Sequence, residues 1–150
     1  MTPDEKVTML KALFRDFGAT GDASHLINRL TDDAVYWLTV DPGTPLSGKW
    51  TGPEAIARYF ATMHATVRHD GFNVYDFLAN DDKAVITGDE TLTIYRNGVT
   101  FFTEWAVVCT FRGDRISHVL VLENLAPLSA AYAGSGEPDG ATATATTTSD

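Results

Sequence analysis

Residues 97–125, NGVTFFTEWAVVCTFRGDRISHVLVLENL, decide the fold class. Asn97-Gly98 tolerate the positive φ that a tight hairpin turn needs, and Gly113-Asp114 form a second turn. The runs that follow them, Val99–Arg112 and Arg115–Leu125, are rich in β-branched and aromatic residues, so the segment reads as successive antiparallel strands. One face of Phe101–Phe111 carries Phe101, Thr103, Trp105, Val107, Cys109 and Phe111. The other carries Phe102, Glu104, Ala106, Val108 and Thr110. In the last strand Val119, Val121 and Glu123 alternate with Ile116, His118, Leu120 and Leu122. Both faces are substantially apolar, whereas a sheet covered by helices on one side shows a polar second face. That pattern predicts a homodimer through the outer sheet face.

Working outward from this segment, Lys83–Tyr95 reads as a long strand, Asn80-Asp81-Asp82 as a turn and Phe72–Ala79 as another strand. Before residue 72 the apolar period is helical or mixed. Thr2 and Glu5 have capping-box spacing ahead of a stripe at Val7, Leu10, Leu13, Phe14 and Phe17, which Gly18 ends. Asp22 is placed to cap a shorter helix through about Leu30, and Ala34–Val40 follows as a strand. Residues 41–52 read as a loop, and Gly43, Gly48 and Gly52 make it a candidate lid. Pro53 starts a third helix whose stripe is Ile56, Tyr59, Phe60 and Met63. Segregated helices and strands predict an α+β fold, with the helices packed on one face of a curved sheet. The domain spans 1–133. The tail 134–150, Ala/Thr-rich and lacking large apolar residues, is expected to stay disordered.

Composition narrows the partners. The net charge is −9, of which the tail contributes −3 through Glu137, Asp139 and Asp150, so the body is acidic. An acidic body disfavours nucleic acid and anionic membrane. No apolar run approaches the ~18 residues that a membrane span needs. The lone Cys109 cannot form an internal disulfide, and the N-terminus lacks a secretory pattern, so a cytoplasmic location is expected. The four histidines lack metal-ligand spacing, so neither a metal nor another cofactor is expected.

Several segments together resemble the nuclear transport factor 2-like superfamily, in its SnoaL-like branch of polyketide cyclases and ketosteroid isomerase relatives. They are Ala19-Thr20-Gly21-Asp22, Leu30 through Trp37, Leu46 through Gly52, and Thr103 through Phe111 followed by Asp114-Arg115-Ile116. The resemblance implies a cone-shaped, curved antiparallel sheet with three helices packed on its concave face and a deep pocket between them. It also aligns the isomerase's catalytic tyrosine with Phe14, its general-base aspartate with Leu38 and its protonated aspartate with Val107. In that enzyme an apolar site keeps one carboxylic acid neutral so that it can donate a hydrogen bond. None of the three apolar groups here transfers a proton, so the resemblance does not carry that mechanism.

The same transfer places Tyr36, Leu38, Thr87, Asp89, Trp105, Val107, Cys109, Val119, Val121 and Glu123 toward the cavity. Phe14, Tyr59, Phe60 and Met63 are expected to complete an apolar substrate-binding wall. Glu123 is the first candidate for general acid or base, because desolvation favours its neutral form. Asp89 is the candidate partner carboxylate, against an alternative in which it faces outward. Tyr36 is a candidate phenol donor and Trp105 a ligand-orienting wall. His64 closes helix three. His118 has outward parity, and His25 and His69 read as surface residues. Three function classes remain: an acid–base enzyme for an apolar oxygenated small molecule of polyketide or terpenoid type, acting by cyclisation, isomerisation, dehydration or epoxide opening; a non-catalytic small-molecule carrier; or a dimeric interaction protein whose cavity is residual.

Overall fold

The computed structural model describes residues 1–134, Asp139 and Gly140. Its elements are α1 (Pro3–Thr20), α2 (Ser24–Ile27), β1 (Leu30–Leu38), β2 (Lys49–Thr51), α3 (Pro53–Thr66), β3 (Val67–Ala79), β4 (Lys83–Ile94), β5 (Thr100–Arg112), β6 (Arg115–Glu123) and α4 (Ala126–Tyr132). The fold is α+β, with one curved, unclosed sheet in the order β2-β1-β6-β5-β4-β3. Among the described residues, no helix is long and apolar enough to cross a membrane.

The sheet is mixed, which corrects the expectation of a purely antiparallel one. β3 through β6 form the antiparallel run, but β1 lies parallel to β6, with Tyr36 opposite Val119 and Leu38 opposite Val121. No hairpin joins β1 to β6, so no turn dictates their direction; a long connection permits the parallel pair. β2 and α4 add to the expected elements, and α2 is shorter than the helix expected from Asp22 to Leu30.

Helix α1 starts where the sequence says it should. Thr2 accepts the Glu5 amide, and the Glu5 carboxylate accepts the Thr2 amide in return. Such a cap is worth about 0.5–2 kcal/mol. Lys6 is buried one turn in; its ammonium donates to the Asp81 carbonyl at 2.6 Å and the Met1 carbonyl at 3.0 Å. This bond fastens the start of α1 to the β3–β4 turn. The helix then carries Leu10, Leu13, Phe14 and Phe17 over the concave sheet face. At its end Gly21 takes φ 73° and donates to the Phe17 carbonyl, a left-handed cap that glycine adopts without steric cost.

The loop between β1 and β2 is pinned rather than a lid. Thr44 and Ser47 are buried, their hydroxyls 2.8 Å apart, and the Trp50 indole donates to the Leu46 carbonyl. None of its residues lines the main cavity. Within the expected tail, the Asp139 carboxylate accepts the Gly43 amide. The remainder of that expectation, at 135–138 and 141–150, lies outside the described residues.

Candidate active site

The concave sheet face and helices α1 to α3 enclose a cavity of about 120 Å³. Of its lining residues Asp22, between α1 and α2, is exposed. The expected wall assembles. Phe14 comes from α1; Tyr59, Phe60 and Met63 from α3; Leu38 from β1. Trp105 and Val107 come from β5, and Val119 and Val121 from β6. Trp105 is sandwiched between Phe14 and Phe72, with ring centroids 5.9 Å and 5.4 Å away. Aromatic contacts of this kind are each worth about 0.5–1.5 kcal/mol beyond area burial. The sandwich depends on Gly88, directly opposite Trp105 in the ladder. A Cβ there would lie 2.3 Å from Trp105 Cζ2 and 2.2 Å from the Asn73 carbonyl oxygen.

Asp89 does not face this cavity, which corrects the sequence-based orientation. It lies on the opposite face, where its carboxylate accepts the Asn73 side-chain amide at 2.9 Å and the Tyr75 hydroxyl. Those two hydrogen bonds, Tyr75's first, hold its pKa below the ordinary carboxylate value. The reason is register. β4 pairs with β5 so that Gly88 opposes Trp105 and Glu90 opposes Thr103. With odd residues inward on β5, even residues face inward on β4. Thr87 is turned outward with Asp89, and Glu90 takes the inward position.

Glu123 does line the cavity, and its carboxyl meets that of Glu90. Burial raises its pKa well above the ordinary range; the hydrogen bond with Glu90 and then that carboxylate's charge push in the same direction. Its Oε2 is buried and has no hydrogen-bond partner, and the same holds for the Trp105 indole nitrogen. His69 stands at 3.2 Å from Glu90, Nε2 to Oε1, and also lines the cavity. This corrects its reading as a surface histidine. A register shift between His69 and Gly71 breaks the two-residue period of β3, so His69 and Phe72 both face inward. His69, Glu90 and Glu123 thus form a row of three ionisable groups from three strands.

Tyr36 packs against Tyr59 with ring centroids 4.4 Å apart, and their hydroxyls are hydrogen-bonded. Burial, above all, holds the protons of both phenols. The same cause pushes the Cys109 thiol up to about 12, so it stays protonated at neutral pH. Among the described residues, neither Lys nor Arg lines the cavity, whereas Asp22, Glu90 and Glu123 do. His64, at the end of α3, hydrogen-bonds the Gly21 carbonyl at 2.9 Å and stacks on Phe17. His118 faces outward, and burial, followed by Lys49 and Lys83, lowers its pKa.

The SnoaL-like domain profile matches residues 10–119. Among solved structures, an NTF2-like protein from Burkholderia xenovorans LB400 is 20% identical, with 88% of this chain and 98% of that one covered at a TM-score of 0.75. A Mesorhizobium loti protein assigned by name to the SnoaL-like polyketide cyclases is 14% identical, covering 77% and 96%, at 0.67. A Catenulispora acidiphila DSM 44928 protein with a ketosteroid isomerase-like fold, in complex with trimethylamine, is 16% identical, covering 85% and 92%, at 0.64. At these identities the likeness is one of fold. No curated protein matches the chain.

Proposed function

The chain belongs to the SnoaL-like domain family, and we propose that it is an acid–base catalyst acting through its own side chains on a small, apolar, oxygenated molecule. The observation that carries this reading is the Glu123 carboxyl, held in an apolar cavity against Glu90 with one oxygen unpaired. Glu123 acts as the general acid, protonating a ligand oxygen. Glu90 stabilises the arrangement and takes up the proton's return path, and His69 orients Glu90. The Trp105 N–H, also unpaired, supplies a hydrogen bond to a ligand oxygen. Tyr36 and Tyr59 act as a rigid floor more than as proton donors, because burial holds their protons. Asp89 has no part in this chemistry. The reactions compatible with one placed acid and a dry cavity are cyclisation, isomerisation, dehydration and epoxide opening.

The cavity constrains the substrate. At about 120 Å³ it is smaller than the ~300–1,000 Å³ of drug-sized sites, so a single ring or short chain fits and a polycycle requires α1 or α2 to move outward. Three lining carboxyl groups, with neither Lys nor Arg among the described residues of the wall, disfavour an anionic ligand. A neutral molecule or a protonated amine is favoured, within the polyketide- or terpenoid-like class or smaller. We further propose that the protein works in the cytoplasm as a homodimer through the outer face, where Phe102, Leu122, Tyr75 and Leu78 are exposed.

A second reading, a non-catalytic carrier, is supported by the apolar side chains of Phe14, Leu38 and Val107 in the cavity wall. The experiment that separates the two begins with mass-spectrometric identification of the molecule that co-purifies in the cavity. Glu123→Gln is then compared with wild type for both binding and turnover of that molecule. Catalysis predicts retained binding with lost turnover; unchanged turnover would remove Glu123 from the mechanism, and no turnover by wild type would leave the carrier.

A further inference from the structure

The acid pair is close to two openings. Besides the cavity, a recess of about 250 Å³ lies beside the C-terminal end of α1, between Gly18, Gly21, His64, Arg68 and Tyr95. Three side chains line both hollows: Phe17, His69 and Phe72. They are the wall between them. The imidazole is held edgewise there, at 88° to the Phe17 ring and 78° to the Phe72 ring. A phenyl group carries no proton, whereas an imidazole can take one on one nitrogen and release one from the other. Burial falls in the same direction: the Glu90 side chain keeps 9% of its surface in solvent and the His69 side chain 22%.

From this geometry we infer that His69 is a proton gate, passing protons between the Glu90–Glu123 pair and the water of the second recess. The inference rests on the reading of Glu123 as a working acid. Glu90 meets both Glu123 and His69, so the row of three gives the buried acid a bonded path toward the recess. The step balances as a relay. His69 with its proton on Nε2 takes a second on Nδ1 from hydronium in the recess and releases the Nε2 proton to ionised Glu90, Glu90 passes it to ionised Glu123, and the ring returns to its Nε2–H form by exchange with water. The ionisable groups around the gate are Glu90 from β4 and His64 from α3, whose ring centroid is 6.4 Å from that of His69. Arg68 and Asp70 flank it on β3 but are bonded to each other at 2.6 Å. Tyr95 borders the recess, α1 contributes Phe17, Gly18, Ala19 and Thr20, none of them ionisable, and Asp22 lines the cavity.

The test needs no substrate. In the full-length protein, the infrared band of a neutral carboxyl group is identified as that of Glu123 by its loss in Glu123→Gln. Its shift is then followed in time after mixing into D2O. His69→Gln keeps a group able to bond Glu90 but cannot relay. It is expected to slow the exchange by about 10²-fold, the lower end of what a placed acid–base group contributes. His69→Ala should be equally slow, and imidazole added to the buffer should restore its rate. Exchange in His69→Gln as fast as in wild type would overturn the gate while leaving Glu123 as the acid. Slowing in His69→Ala that His69→Gln alone repairs would also overturn it, by showing a structural role. Absence of any band lost in Glu123→Gln would overturn both the gate and the acid.

Discussion

Asp89 and Glu123 are carboxylic acids on strands of the same sheet, on opposite faces. On the outer face, Tyr75 and Asn73 donate hydrogen bonds to Asp89 and hold its pKa below the ordinary value. On the inner face, Glu123 meets apolar walls and a second carboxyl group, and its pKa rises. The difference shows that strand position says little about a carboxyl's chemistry until the face is known. Donors and water favour the ion; desolvation and a like neighbour favour the acid. The concave face is built to keep one proton out of water, and the convex face is not.

The contrast is broken most severely at Glu123. In Glu123→Gln, turnover of the cavity's ligand is expected to fall by about 10²–10⁴-fold, with binding retained. Asp89→Asn should leave both unchanged, and steady-state kinetics on the two variants tests the pair side by side. Next in size is Gly88→Ala. The added methyl would overlap Trp105 and the Asn73 carbonyl, so denaturant unfolding should show a loss of about 1–3 kcal/mol. Ligand affinity should fall with it, because Trp105 is displaced from the wall.

The faces also differ in how stability follows pH. Glu123 has a folded pKa above its unfolded value of 4.5. Below that value both states hold the proton. Above it only the unfolded chain releases it, so stability falls by up to about 1.4 kcal/mol per pH unit through neutral pH. Denaturant midpoints of Glu123→Gln should therefore gain on wild type progressively as pH rises above the ordinary carboxylate range. Asp89 has the opposite sign. Its folded pKa is lowered, so its contribution is present above the unfolded value and lost as pH falls through the folded one. Asp89→Asn should be slightly less stable than wild type at neutral pH, and the difference should vanish in acid.

Much of this architecture is legible in the sequence. The capping box at Thr2 and Glu5, the α1 stripe and the hairpin at Asn97-Gly98 announce themselves through local chemistry. Because Trp105 and Glu123 are cross-strand neighbours, one correct inward parity on β5 carries the last strand with it. Asp89 is misplaced unless the same parity is carried across the hairpin into β4. The alternation Ala84, Ile86, Gly88, Glu90, Leu92, Ile94 holds the signal for Glu90. His69 is harder, since the bulge beside it abolishes the period-two pattern. The parallel β1–β6 pair and the short β2 depend on contacts between segments far apart in sequence, which periodicity does not encode.

The proposed chemistry stands on Glu123 being a neutral acid inside the cavity. Carbon-13 NMR of side-chain-labelled glutamate, titrated from acid through neutral pH, reads this directly. One carboxyl resonance should keep the chemical shift of the protonated form at neutral pH and be absent in Glu123→Gln. A Glu123 resonance that loses its proton in the ordinary carboxylate range would refute the neutral acid and the catalysis built on it.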